Sequence, residues 1–446
     1  MLWRDIMKKE IRKNILKYAI PGILGLVANS LYIVVDGIFV AKMLGPKPLA
    51  AVTTVVPVVE ILIALSLMIS TGGGIYISIF QGKGDLKKSR EYFNHALLFS
   101  LVSSVVILVL SLLFREKIVT VLGATPDIHA DAVEYFTWFI LFVPIFMLNY
   151  ALGTWIRNDG KPALAMATQI VGAVVNIVLD YVFMGPLKMG LAGAAIATGL
   201  GPVSGVLLLA PHFLLKKGDL YLEKFKLQMS KIKEILIGGL PSFSLEFSLG
   251  LMTFFCNIFI SRKIGVDGLT SFGVVGYINL IFLSVFLGMG QGTQPLVSRF
   301  YGQQDFEDIR NVYYFSLKIS VALGVFCYVF LLVAARPLTS IFIDSNNIEL
   351  TNATVTAIKL FFVTFPCTGI NVITANLLAA KHSVTSSILI SLLRSCIFLV
   401  PTLLVLNIFS NSLLIWLAVP ITEAISVIAT FILWKRDSYN MTNAYL

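Results

Sequence analysis

Twelve stretches dominated by apolar side chains decide what this chain can become: residues 14–38, 49–79, 94–113, 132–156, 162–184, 190–215, 233–260, 270–297, 312–333, 352–379, 384–408 and 412–434. An apolar run of about 20 residues crosses the hydrocarbon of a bilayer as an α-helix. Membrane strands would instead be short and alternate polar with apolar residues. Composition agrees. Of 446 residues 57% are hydrophobic and only 13% charged, about half the charged fraction of a soluble domain. The sequence predicts an all-α polytopic membrane protein.

A net charge of +10 suits a nucleic-acid binder until the charges are placed. With the N-terminus in the cytoplasm, 23 of the 34 Lys and Arg fall in cytoplasmic segments, 9 outside, and 2 (Lys318 and Arg394) within spans. This positive-inside bias predicts a multi-pass inner-membrane protein with both termini in the cytoplasm. The opening MLWRDIMKKEIRKN leads into the first span without a small-residue cleavage site, so that span reads as uncleaved. Cys256, Cys327, Cys367 and Cys396 lie in apolar stretches without metal or redox spacing and read as small hydrophobes. The four His are scattered, and Thr71-Gly72-Gly73-Gly74 lacks the Lys of a phosphate loop. No enzyme, cofactor or metal chemistry is expected, nor is a nucleic-acid partner.

The chain matches itself at an offset of 220 residues. Pro21 meets Pro241, Gly45 meets Gly265, Gly72 meets Gly292, Phe80-Gln81-Gly82 meets Phe300-Tyr301-Gly302, Asp85 meets Asp305 and Arg90 meets Arg310. Apolar matches are cheap in a membrane protein, but Pro, Gly, Asp and Arg at one fixed offset are not. Six spans separate the copies, so both halves share one orientation, as in parallel repeats with substrate bound between them. The expected organisation is a cytoplasmic segment 1–13, an N-terminal lobe 14–215, a basic cytoplasmic linker 216–232, a C-terminal lobe 233–435 and a cytoplasmic tail 436–446.

Charged side chains inside the bilayer cost about 2.5–3.5 kcal/mol each on the insertion scale, so they mark pathways and sites. The candidates are Asp36, Glu60, Asp180, Glu246, Lys318, Arg394 and Glu423. Asp36 lies near the outer end of span 1, and Asp180 lies roughly 6 Å inside the outer end of span 5. Asn176 sits one turn below Asp180 on the same face, and Thr198 of span 6 lies at a comparable depth. Two carboxylates, an amide and a hydroxyl can thus converge, an oxygen set suited to Na⁺ or, through two carboxylates sharing a desolvated site, to H⁺. Neither Asp has an acidic twin in the second half. Glu60, Glu246, Glu423 and Arg394 are candidates for a substrate cleft, with Arg394 able to pair with Glu423 or Glu246. Lys318 snorkels to the surface. Prolines in the spans, Pro21 and Pro241 among them, predict kinks, and Pro21 is the candidate gate.

VDGIFVAKMLGPKPLAAV (35–52), NIVLDYVFM (176–184) and GLAGAAIAT (190–198) resemble the multidrug and toxic compound extrusion (MATE) family. GGLPSFSLE (238–246) is similar to its bacterial branch, which includes the MepA and DinF types. The resemblance covers residues 14–435. It implies two six-helix lobes forming a V-shaped cleft, and efflux of amphipathic, often cationic drugs coupled to H⁺ or Na⁺. It also implies a cation site at Asp36, Asn176, Asp180 and Thr198. A second ion site that some relatives build on an acid of span 10 is not expected, because FFVTFPCTGINVITANLLAA (361–380) carries none. The expectation is a monomeric antiporter working by alternating access, with drugs and membrane lipid as its partners. The alternative is a flippase for lipids or lipid-linked oligosaccharides, which needs a basic cleft to hold phosphate, whereas the embedded charges here are mostly acidic.

Overall fold

A computed structural model describes residues 2–343 and 347–444, and every regular element among them is helical. α1 runs Leu2–Phe39 and closes in a π turn, Val40–Leu44. There follow α2 (Pro46–Gly82), α3 (Leu86–Leu113), α4 (Pro126–Ile140 and Val143–Asn158), α5 (Pro162–Met184), α6 (Gly190–Leu214), α7 (Met229–Ile264), α8 (Val266–Gln303), α9 (Phe306–Phe342), α10 (Ile348–Ala380), α11 (Val384–Ile408) and α12 (Ser412–Tyr439). Eleven of these are long and apolar enough to cross a membrane alone, and the two parts of α4, bent by 50°, complete a twelfth. Each apolar stretch of the sequence becomes one such helix. The helices overrun those stretches: α1 starts inside the segment 1–13, α7 starts inside the linker, and the helix of α12 continues through the tail to Ala444. Residue 1 and residues 445 and 446 lie outside the described residues.

The breaks have a common cause. Proline removes the hydrogen bond to the carbonyl four residues back and crowds it. Four residues before Pro144 is Ile140, where the first part of α4 ends. Phe362, four before Pro366, opens the 3-10 turn of α10. Ile397, four before Pro401, closes a π turn (Leu393–Ile397) in α11. Pro21, Pro57, Pro202 and Pro241 instead sit within continuous helix.

The duplication is visible in the backbone. Gly45 and Gly265 precede α2 and α8 with φ of 97° and 85°, a conformation that favours glycine. Asp85 and Asp305 cap α3 and α9, each accepting the backbone N–H three residues on at 3.0 Å.

The chain forms two compact units: a C-terminal unit of Met1–Ala19 with Ser244–Leu446, and an N-terminal unit of Ile20–Phe243. The linker 216–232 therefore lies inside the N-terminal unit, and the unit boundaries cut α1 and α7 instead. Close backbone crossings explain this. A Cβ on Gly72 of α2 would lie 2.0 Å from Ile235 O of α7, and one on Gly239 of α7 would lie 1.8 Å from Met68 O of α2. In the C-terminal unit the twin of Gly72, Gly292 of α8, rests on Tyr18 O and the Ala19 backbone of α1, at 2.6 and 3.1 Å from an ideal Cβ. Small residues let helix backbones meet where lipid offers no competing hydrophobic drive.

Candidate cation site

In the N-terminal unit, α5 and α6 meet through glycines. A Cβ on Gly201 would stand 3.0 Å from Gly172 O and 3.5 Å from Asn176 Cβ, so α6 passes directly beside the face of α5 that carries Asn176 and Asp180. Both of those side chains are buried, at 1% and 0% exposure. Asp36, on the last regular turn of α1 before the π turn, reaches the same place, its carboxyl group within hydrogen-bonding range of Asp180. Two ionised carboxylates have no donor between them. Asp36 Oδ1, both Asp180 oxygens and both polar atoms of Asn176 find no hydrogen-bond partner among the described residues. Buried polar groups are nearly always paired, so a cluster of unpaired polar atoms, most of them acceptors, indicates a place where something binds.

Two tyrosines that the sequence did not single out join this group. Tyr32 lies one turn before Asp36 and close to both carboxylates. Tyr135, from the first part of α4, lies near Thr198, Asp36, Asp180 and Tyr32. Thr198 Oγ1 is otherwise engaged with Ala194 O at 2.9 Å. The four sequence candidates Asp36, Asn176, Asp180 and Thr198 thus share one locus with two phenols. Spacing would have found Tyr32, four residues from Asp36 on the same helix face. Tyr135 had no such signal.

The other candidates have different surroundings. Glu60 is exposed on α2, Glu246 is half-buried on α7, and Pro21 is half-buried in unbroken α1. Glu423 and Arg394 pair inside the C-terminal unit at 1% and 4% exposure. Arg394 Nε donates to Glu423 Oε1 at 2.9 Å, Asn371 Nδ2 donates to Oε2 at 2.6 Å, and Thr430 Oγ1 donates to Asn371 Oδ1 at 2.8 Å. This carboxylate is fully engaged by protein donors. No cluster of three or more His, Cys, Asp or Glu able to hold a metal occurs among the described residues.

Comparison with known proteins gives these observations a context. The family model MatE matches residues 21–182 and again 241–432, the two matches starting 220 residues apart like the internal repeat. The multidrug export protein MepA of Staphylococcus saprophyticus is 21% identical over 444 residues, covering 98% of this chain and 97% of its own. MepA of Staphylococcus haemolyticus is 22% identical over 96% of this chain and 94% of its own. Among solved structures, an outward-facing multidrug resistance MATE family transporter of the MOP superfamily superposes with a TM-score of 0.93 at 24% identity, covering 97% of both chains. A MATE crystal structure in a straight conformation gives 0.92 at 24% identity and the same coverage. Twelve spans, a parallel duplication and a family match over most of the chain agree: this protein belongs to the MATE family of bacterial multidrug efflux transporters.

Proposed function

We propose that the chain is a cation-coupled antiporter that exports amphipathic, often cationic compounds by alternating access, with Asp36 and Asp180 as the coupling pair. The observation that carries this reading is two carboxylates facing each other inside a spanning unit, with no basic side chain beside them among the described residues. A proton would supply the donor that the pair lacks. A sodium ion would take oxygens from Asp36, Asp180, Asn176 and Thr198, hard ligands of the kind such ions prefer. Either one neutralises the pair and removes its attraction for an organic cation. Cargo and coupling ion thereby exclude each other, which gives the differential affinity that any ligand-driven conformational shift requires. One charge crossing 100 mV contributes about 2.3 kcal/mol to the cycle. Because Asp36 rides on α1, its neutralisation acts on that helix directly, and Pro21, which weakens the backbone at the start of the N-terminal unit, is the place for α1 to yield.

The experiment is drug transport in proteoliposomes under imposed pH and Na⁺ gradients. Asp36→Asn and Asp180→Asn should each lose gradient-driven transport while folding normally. Wild-type rates in both variants would end the proposal, and the gradient that drives the wild type identifies the ion.

A further inference from the structure

The segment between α6 and α7 is not a loose loop. Leu220 is fully buried. Asn94 of α3 donates to Tyr221 O and accepts from Glu223 N–H, both at 3.4 Å. Arg90 bonds Glu223 at 2.8 Å and lies 4.6 Å over the Tyr221 ring, with Lys216 5.0 Å from the same ring. His95, 1% exposed, packs against the Phe225 ring at a tilt of 55° and accepts Gln228 N–H at 3.0 Å on Nε2 while its Nδ1 meets Glu91 O at 2.7 Å. That pattern fixes a neutral ring with the proton on Nδ1. At its start, Asp159 receives Asp219 N–H at 3.0 Å and pairs with His212 at 2.6 Å. The segment is a strap, pinned by its inward residues to the ends of α3, α4 and α6.

Its outward residues are of two kinds. Leu222, Leu227 and Met229 are exposed at 48, 57 and 69%, and Leu214 and Leu215 at 62 and 65%. Between them stand exposed Lys216, Lys217, Lys224 and Lys226, and beside the strap the α2–α3 turn exposes Lys83 and Lys87. None of these six lysines holds an ion pair among the described residues. Of the acids on the strap and the α2–α3 turn, Asp85 is engaged with Lys88 at 3.3 Å and Glu223 with Arg90, which leaves Asp219. The strap connects the end of one spanning helix to the start of another, so this face lies where hydrocarbon gives way to water.

We propose that this face binds the headgroups of anionic phospholipids in the adjoining leaflet, its leucines dipping among the acyl chains and its lysines on the phosphates. Charge complementarity selects the occupant: each Lys near an anionic surface adds attraction, and clusters of four to eight bind such lipids selectively. Interleaved exposed leucines are unsuited to a soluble anionic partner and suited to an interface.

The test uses the full chain purified in a neutral detergent and titrated with phosphatidylglycerol or phosphatidylcholine, reading retained lipid by native mass spectrometry and thermal stability in parallel. The variant replaces Lys216, Lys217, Lys224 and Lys226 by Gln, all exposed positions outside any helix. The control replaces Lys117 and Lys188 by Gln. Phosphatidylglycerol should bind and stabilise the wild type and the control, and bind the four-site variant about tenfold more weakly or worse. Equal phosphatidylglycerol binding by variant and wild type would overturn the proposal, as would equal binding of phosphatidylcholine. Stabilisation by soluble glycerol phosphate to the same degree would identify a free-anion site and overturn it too.

Discussion

The two units derive from one repeat, yet they treat buried acid in opposite ways. In the C-terminal unit Glu423 is clamped by Arg394 and Asn371, with Thr430 holding the amide behind them. In the N-terminal unit Asp36 and Asp180 face one another without a donor. A carboxylate with a resident guanidinium has its charge answered by the protein, whereas a carboxylate with only another acid beside it must find its counter-charge elsewhere. The comparison separates an acid whose charge the protein answers from one whose charge it leaves unanswered, although both look alike as isolated charges in apolar helices.

The sharpest way to break this contrast is to exchange the outcomes. Asp180→Asn should abolish coupled transport and leave detergent stability unchanged or improved. Arg394→Ala strands Glu423 and should lower stability by about 3–5 kcal/mol, read by chemical or thermal unfolding. Replacing the pair together, Arg394→Met with Glu423→Leu, should restore both stability and transport. Failure of that double variant to transport would make the C-terminal pair a participant and dissolve the distinction.

The helix crossings offer the next comparison. Gly72→Ala and Gly239→Ala drive a methyl into a backbone carbonyl at 2.0 and 1.8 Å, against 2.6 Å for Gly292→Ala. The first two should destabilise by about 1–3 kcal/mol and the third by clearly less. Similar losses at all three would mean the crossings are equivalent.

Within the acid site, Tyr135→Phe removes the hydroxyl beside Thr198. It should weaken cation dependence of transport by about three- to tenfold, the worth of one net hydrogen bond, with drug recognition intact. No change in the cation concentration for half-maximal transport would remove Tyr135 from the site.

The smallest effect concerns the twin caps. The Lys88 backbone N–H, with the Lys88 side chain beside it, holds the Asp85 carboxyl below its ordinary value. A depressed carboxylate contributes stability above its unfolded pKa and loses it as pH falls through the folded one. Asp85→Asn should therefore match the wild type at acidic pH and fall slightly behind near neutrality. A difference that instead grows below about pH 4 would contradict this account.

Much of this was legible in the sequence. The spans follow from apolar length, and the repeat from Gly45, Gly265, Asp85 and Asp305, whose roles are local and tolerate little substitution. Asp36, Asn176, Asp180 and Thr198 could be grouped because helix rise and facing are regular enough to convert residue number into depth. Tyr135 could not, because its approach to Thr198 joins two helices far apart in sequence and no helix spacing encodes it. Charge alone also did not distinguish Glu60, which is exposed, from Glu423, which is sealed against Arg394. Pairing across helices is a tertiary fact, and neither residue's neighbours in sequence encode it. The linker misled for a related reason. Its Lys-rich composition suggests solvent, while Tyr221, Phe225 and the backbone groups that Asn94 and His95 capture hold it to the unit.

The division of α1 and α7 between the units bears on how the molecule is made. The piece that the C-terminal unit takes from α1 is made before any of the N-terminal unit, and the N-terminal unit cannot close until synthesis has passed Phe243. Neither half severed at the strap carries a whole unit, so two separately translated halves would mature only by trading helix ends with each other.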